Sequence, residues 1–283
     1  MRKSNNPVRL THCLTFDIEE HFQVSAFDLP AHRKRWEGYE SRVQRNTEKI
    51  LEILVDRGIR ATFFVLGWVA ERHPNLVRSM VSVGHEVASH GYEHRMVTDQ
   101  TPDQFREDVR KSKRILEDLI GKPVLGYRAP SFTIVDRTKW ALQVLVEEGY
   151  RYDSSIFPIR HDRYGIPGAY PHPHRLDTHM GSIWEVPPAT VRIAGSRFPI
   201  AGGGYFRFFP YPVLRTLLKR AELEAEPLVI YLHPWELDPA QPRMQGPLVS
   251  RFRHYLNLDK TERRLQQLLG DFQFGPIRDA VTL

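Results

Sequence analysis

The chain has 283 residues, 41% of them hydrophobic and 11% aromatic, enough for one large α/β domain with a sizeable core. Lys plus Arg (40) less Asp plus Glu (34) gives +6, a modest excess with no basic block of the density nucleic-acid binding demands. The single cysteine, Cys13, excludes an internal disulfide and reads as a buried, inert side chain. No apolar run reaches the ~18 residues of a transmembrane helix. Residues 1–9 are polar without a hydrophobic signal core, so a cytoplasmic protein is expected.

Residues 8–16 are apolar and β-favourable and read as a first strand. Residues 22–39, with Pro30 and many charges, read as a long loop. Residues 47–57 carry Ile50, Leu51 and Leu54 at helical spacing, and Gly58 stops them. Residues 59–66 are almost continuously apolar, as expected of a strand buried on both faces. A helix over 74–83 ends at Gly84, and 85–89 is a third strand.

Thr101-Pro102-Asp103-Gln104 opens the next helix with a Thr cap, Pro at the first position and Gln at the box position; Gly121 ends it after Ile120. A strand over 124–127, a helix capped by Asp136 and running to Glu148, and a strand over 150–154 follow. Residues 157–181 are rich in Pro, His and Gly without a period and read as an irregular insertion of a functional kind. Short strands are expected at 183–186 and 190–193, a flexible turn followed by aromatics at 201–207, a helix over 212–225 and a strand over 228–232. Residues 248–269 read as mostly helical, and the tail 274–283 as a last short strand. The repeated βα units predict an α/β fold, a distorted (β/α) barrel of parallel strands, as one domain over 1–283. Its core spans about 10–236, and 237–283 form a C-terminal helical extension.

In such barrels reactive groups gather at the C-terminal ends of the strands. Asp17 and Glu19, His90 and His94, Arg128, Asp153 and His233 all fall there. Histidines four apart can share one divalent cation, and a third ligand must come from elsewhere. On an extended segment Asp17 and Glu19 face one side, while Ile18 and Glu20 face the other. Glu19, His90 and His94 then make a two-His-one-carboxylate set; a bend after Asp17 would bring Glu20 or His21 into competition. Such an ion lowers the pKa of bound water toward ~7, and Asp17 is placed to take the proton. Arg128 can pair with Asp17 and orient it, and His233 can serve as general acid. Asp153 can bond His233 and fix its tautomer. Tyr92, Phe132, Trp184, Tyr205, Phe206 and Trp235 are candidate faces for a sugar ring.

Thr15-Phe16-Asp17, Ser89-His90-Gly91-Tyr92-Glu93-His94, Arg128-Ala129-Pro130-Ser131, Tyr152-Asp153-Ser154-Ser155 and Tyr231-Leu232-His233-Pro234 occur in that order. Together they resemble the polysaccharide deacetylases: carbohydrate esterase family 4, the NodB homology domain. Gly202-Gly203-Gly204-Tyr205-Phe206 and Trp184-Glu185-Val186-Pro187 further resemble the branch associated with exosortase (PEP-CTERM) and exopolysaccharide loci. The resemblance implies a NodB-like barrel and metal-dependent N-deacetylation of an N-acetylated amino sugar, in an exopolysaccharide or its lipid-linked precursor. It implies Asp17 as base, His90 and His94 as ligands, Arg128 as orienter and His233 as acid. Pro130, Ser131 and Leu232, in the same motifs, are candidate substrate contacts beside the aromatics. The family pattern has a second Asp directly after the base; Ile18 stands there, and an Asp-x-Glu arrangement through Glu19 replaces it. The cation expected is Zn, with Co, Ni or Mn as substitutes. The partner expected is an N-acetylated saccharide, with neither nucleic acid nor an integral membrane segment, and peripheral contact with a lipid-linked substrate. A deformylase or cyclic-amide hydrolase on the same scaffold, and a catalytically silent saccharide-binding protein, are the alternatives.

Overall fold

The first strand, β1 (Thr11–Ile18), sets the frame because its alternate residues serve two environments. Leu14, Phe16 and Ile18 pack into the large cluster under the helices, while Cys13 joins the smaller cluster inside the sheet's curve. Thr15 and Asp17 share Cys13's face, and both meet the Arg128 guanidinium. The computed structural model describes residues 10–25, 27, 33–161, 163–224 and 226–281.

The further strands are β2 (Thr62–Val65), β3 (Glu86–Ser89), β4 (Gly126–Tyr127), β5 (Tyr152–Asp153), β6 (His174–Thr178), β7 (Gly181–Glu185), β8 (Thr190–Ile193), β9 (Ser196–Pro199), β10 (Val229–Leu232) and β11 (Gln273–Gly275). The helices are α1 (Val43–Val55), α2 (Gly67–Arg72), α3 (Pro74–Ser82), α4 (Pro102–Ile120), α5 (Trp140–Glu147), α6 (Gly203–Phe208), α7 (Tyr211–Ala221), α8 (Leu248–Tyr255), α9 (Leu258–Asp271) and α10 (Ile277–Ala280). The sheet runs β10-β1-β2-β3-β4-β5-β7-β6, with β11 also on β1; all pairs are parallel except β6 with β7. The Ala189 amide, just past β7, donates to the Val229 carbonyl of β10 at 3.0 Å and bridges the remaining gap. This is the expected distorted (β/α) barrel.

The N-terminal end of the barrel is plugged. The Ile277 amide of α10 donates to the Thr62 hydroxyl at 2.8 Å, and that hydroxyl donates to Glu86 at 2.6 Å. The Tyr152 hydroxyl donates to the other Glu86 oxygen at 3.0 Å. Burial pushes the Glu86 carboxyl above its ordinary value.

The capping box at α4 forms as expected: Thr101 Oγ1 accepts from the Gln104 amide, and Gln104 Oε1 accepts from the Thr101 amide. Several expectations are corrected. The insertion over 157–181 contains β6, which forms an antiparallel hairpin with β7. Asp136 opens a 3-10 turn, and the helix begins only at Trp140. The helix expected over 248–269 breaks at Asn257, whose φ is +52°. The tail is a three-residue strand followed by α10. The helix α2 was not foreseen.

The supposed flexible turn at 201–207 is the helix α6. Gly203 serves close approach: a Cβ there would lie 1.7 Å from Glu236 Oε1. Residues 8–9, 26, 28–32, 225 and 282–283, covered by the first strand, the early loop, the 212–225 helix and the tail, lie outside the described residues.

Candidate active site

Parallel register brings the strand ends level. Phe16 pairs with Leu232, so Asp17 and His233 come next to each other. Val65 pairs with Ser89, Ser89 with Tyr127 and Tyr127 with Asp153, so His90 and Arg128 emerge one step beyond the ladder. The ladder's amides continue past the strands: His90 donates to the Val65 carbonyl at 3.0 Å and Arg128 to the Ser89 carbonyl at 2.9 Å. The cavity at this rim has a volume of about 510 Å³ and is lined by Asp17, Glu19, His90, His94 and His233 among others.

Glu19, His90 and His94 present one ligand atom each within 4.8 Å of one another, all buried. Glu19 Oε2 lies 2.7 Å from His94 Nε2 and 4.0 Å from His90 Nε2. His90 Nδ1 donates to the Arg128 carbonyl at 2.8 Å, which leaves Nε2 unprotonated toward the cluster. The other Glu19 oxygen accepts from the Trp235 indole at 3.1 Å. Buried Glu19 Oε2 has no donor in hydrogen-bond alignment and faces the two imidazoles instead. Burial drives the His90 imidazole down to about 4, against the pull of Asp17 and Glu19, so it is neutral at physiological pH, as a metal ligand must be. Burial opposes ionisation of Glu19, but the imidazoles of His94, His233 and His90 outweigh it and hold its carboxyl below the ordinary range. An oriented neutral imidazole, a second one and a buried carboxylate oxygen facing both fit a divalent cation.

The loop carrying both histidines is tight. Gly91 (φ +77°) and His94 (φ +53°) turn the chain, and Asp108 of α4 accepts the Tyr92 amide at 3.0 Å. A Cβ on Gly91 would meet that Asp108 oxygen at 2.7 Å. Ser131 and Phe132, on the opposite wall, also have φ of +54°. Non-glycine residues there cost about 1–3 kcal/mol each and persist only where the surroundings impose them.

Arg128 is fully buried, its guanidinium 4.1 Å from the Phe64 ring centre. It donates to Asp17 Oδ1 at 2.7 Å, Thr15 Oγ1 at 2.8 Å and Ser154 Oγ at 2.9 Å. Asp17 is thereby fixed with its second oxygen 3.9 Å from His233 Nε2. His233 Nδ1 is bonded to Glu236 Oε1 at 2.5 Å, and Arg207 Nε donates to Glu236 Oε2 at 2.7 Å. Burial opposes protonation of His233, but Glu19, Glu236 and Asp17 outweigh it and raise the imidazole to about 9.

Six residues read from the sequence thus come together: Asp17, Glu19, His90, His94, Arg128 and His233. Asp153 does not reach His233. Its carboxylate holds the Ser155 hydroxyl (2.5 Å) and amide, beside Glu185. Burial raises both acids, and each lies in the other's field. Glu236 and Arg207 are the partners that sequence reasoning missed. The signal was Glu236 three residues after His233 in a strand-end turn, the spacing that lets a side chain reach back.

Glu20 is not with the histidines either. It accepts the Arg42 and Val43 amides at 3.0 and 3.2 Å at the N-terminus of α1. Ser131, Phe132 and Trp235 line the cavity, and Tyr205 lines the adjoining groove. Tyr92 points away from the cavity: its hydroxyl donates to Glu71 and its ring lies 3.3 Å from the Lys111 ammonium. Trp184 packs on the cluster of Cys13, Phe64 and Tyr152, and Leu232 and Phe206 are core. Pro130 is buried beneath the rim.

Sequence and fold were compared with those of known proteins. Residues 13–152 match the family described as polysaccharide deacetylase, and residues 154–282 match a domain of unknown function, DUF3473. A peptidoglycan-N-acetylglucosamine deacetylase of Bacillus cereus is 35% identical over 98 residues, 34% of this chain and 36% of that protein. A peptidoglycan deacetylase-like protein, FGM2, of Gibberella zeae is 31% identical over 146 residues, 51% of this chain and 42% of that protein. The matches therefore span less than half the length of either relative. Among solved structures, a Mycobacterium smegmatis protein assigned to the polysaccharide deacetylases superposes with a TM-score of 0.62 at 22% identity. It covers 96% of this chain and 90% of that one. The Puue allantoinase superposes with a TM-score of 0.61 at 17% identity, covering 96% and 89%. Fold and site define a mostly parallel α/β barrel with a buried His-His-carboxylate cluster at its C-terminal rim. The segment 13–152, which carries Asp17, Glu19, His90, His94 and Arg128, resembles the polysaccharide deacetylases.

Proposed function

We propose that this chain hydrolyses the acetamide of an N-acetylated amino sugar, in an exopolysaccharide or its lipid-linked precursor, with a divalent cation, preferentially Zn. The observation that carries the reading is the juxtaposition of the Glu19–His90–His94 cluster with Asp17 fixed by Arg128 and with His233 across from both. Glu19, His90 and His94 would hold the cation, which supplies Lewis-acid charge for the acetyl carbonyl and for water.

Asp17 takes the proton of the attacking water, and its bond to Arg128 keeps one oxygen occupied and the other turned to the cavity. His233, protonated because three carboxylates surround it, gives a proton to the departing nitrogen. Water adds to the carbonyl, the carbon–nitrogen bond breaks, and acetate and a free amine leave. The resemblance of the Gly202–Phe206 and Trp184–Pro187 segments to the exosortase-associated branch supports an exopolysaccharide substrate.

A mere saccharide-binding module needs neither a buried carboxylate–guanidinium pair nor a charged imidazole beside two more. The test is acetate release from N-acetylated oligosaccharides and lipid-linked sugars, with added zinc and with a chelator. Acetate appearing only with metal supports the reading. Turnover of cyclic amides with no acetate from any sugar would replace it.

A further inference from the structure

A second cavity of about 690 Å³ opens between α6 and α8. It shares His161, Tyr164, Tyr231 and Arg253 with the active-site cavity, so the two adjoin across these side chains. Phe208, Phe209 and Tyr205 line one side, and Val249, Phe252 and Leu256 the other. Phe208, Val249 and Phe252 are 61%, 62% and 64% exposed, a concentration of apolar surface that water disfavours. No carboxylate lines this second cavity among the described residues. Val249 and Leu256 offer a hydroxylated sugar no hydrogen bond and no ring face to stack on.

We infer that the amino sugar acted on carries a long apolar aglycone, and that this chain lies in the groove between α6 and α8 while the sugar occupies the catalytic cavity. The inference rests on the deacetylase reading and narrows its substrate to an amphipathic glycolipid. The occupant follows from adjacency: the apolar groove borders the catalytic cavity at Tyr231 and Arg253, where an aglycone of a sugar bound in that cavity would emerge. Each buried methylene is worth about fourfold in affinity, so an alkyl chain seated there gains more than tenfold over a methyl group.

The test compares the methyl and octyl β-glycosides of N-acetylglucosamine, the latter below its micellar concentration, with zinc-supplemented full-length protein. The expected result is a kcat/KM for acetate release at least tenfold higher for the octyl glycoside, through KM. That ratio falls toward one in the Val249→Ser, Phe252→Ser double variant. Leu223→Ser, which removes an 83% exposed side chain outside the groove, keeps both the ratio and the basal rate. A wild-type ratio near one, or one indifferent to the double variant, overturns the inference.

If neither glycoside releases acetate, the deacetylase reading fails separately, and calorimetric binding of the two glycosides decides the groove. Tighter octyl binding that is lost in the double variant sustains the apolar occupant; equal binding overturns it. A dimer in sedimentation that dissociates on Phe252→Ser would also overturn it, by making a second copy the occupant.

Discussion

Replacing Glu236 with Gln keeps the side chain's shape and removes its charge. Glu236 Oε1 accepts hydrogen bonds from His233 Nδ1 at 2.5 Å and from the His233 amide at 3.1 Å. Its other oxygen pairs with Arg207, which also donates to the carbonyls of Arg253, His254 and Leu256. Those three carbonyls still receive the guanidinium in the variant, so the fold survives with a loss of ~1–3 kcal/mol. The imidazolium loses a charge-assisted hydrogen bond worth ~1.5–3 kcal/mol. Each ~1.4 kcal/mol is tenfold in rate, so kcat falls about 10- to 150-fold.

Losing one of the carboxylates that raise His233 to about 9 also moves the alkaline limb of the rate profile to lower pH. A cation on Glu19 offsets that carboxylate's pull, so the limb lies below 9 even in the wild type. The acid form is the active one; activity is present below the limb and is lost as pH rises through it. The assay is acetate release from pH 5 to 10, with bound metal quantified in parallel. An unchanged kcat with an unchanged alkaline limb, at normal metal content, would refute the assignment of Glu236 as the residue that charges and orients His233.

Glu19→Ala abolishes stoichiometric metal binding, whereas Glu20→Ala keeps it and lowers stability by ~1–2 kcal/mol, as loss of a helix cap does; metal analysis and thermal melts separate the two. Asp108→Asn slackens the loop between His90 and His94, because Asp108 accepts the Tyr92 amide, and weakens metal affinity ~10–100-fold in a chelator competition. The metal-free protein loses stability in acid. Burial holds His85 at about 4 and His254 well below its ordinary value, so both are neutral in the fold. Their contribution is complete above ~6.5 and is lost as pH falls from there through about 4. Melting temperatures that stay flat across that window would contradict their neutral burial.

What was legible in the sequence followed from local rules. The capping box at Thr101 needs only four consecutive residues, and it forms as written. The level strand ends follow from parallel pairing, which is why Asp17, His90, Arg128 and His233 were found without knowing any long-range contact. Choices between faces were harder. Tyr92 sits between two candidate ligands, yet a residue two steps from each in a tight turn points elsewhere, here to Glu71.

The partner of His233 was misread because Asp153 and Glu236 are both acids at strand ends. Only the approach of α6, which brings Arg207 against Glu236, separates them. That approach was hidden in a run of three glycines. Glycine signals flexibility or close contact with equal force in a sequence, and only the Glu236 side chain against Gly203 decides between them.

The boundary between the two family matches falls inside the site. Asp17, the candidate ligands and Arg128 lie within 13–152, but His233, Glu236 and Arg207 lie within 154–282. The sheet is divided in the same way: β1 pairs with β2 of its own segment and with β10 and β11 of the other, and β5 pairs with β7 across the boundary. A chain ending near residue 152 would leave one edge of β1 unpaired and Asp17 without its imidazole neighbour. An unpaired edge on a strand this apolar invites aggregation. The second segment therefore forms the other wall of the barrel around the candidate site, and the groove between α6 and α8 lies wholly within that segment, apart from the Glu19–His90–His94 cluster.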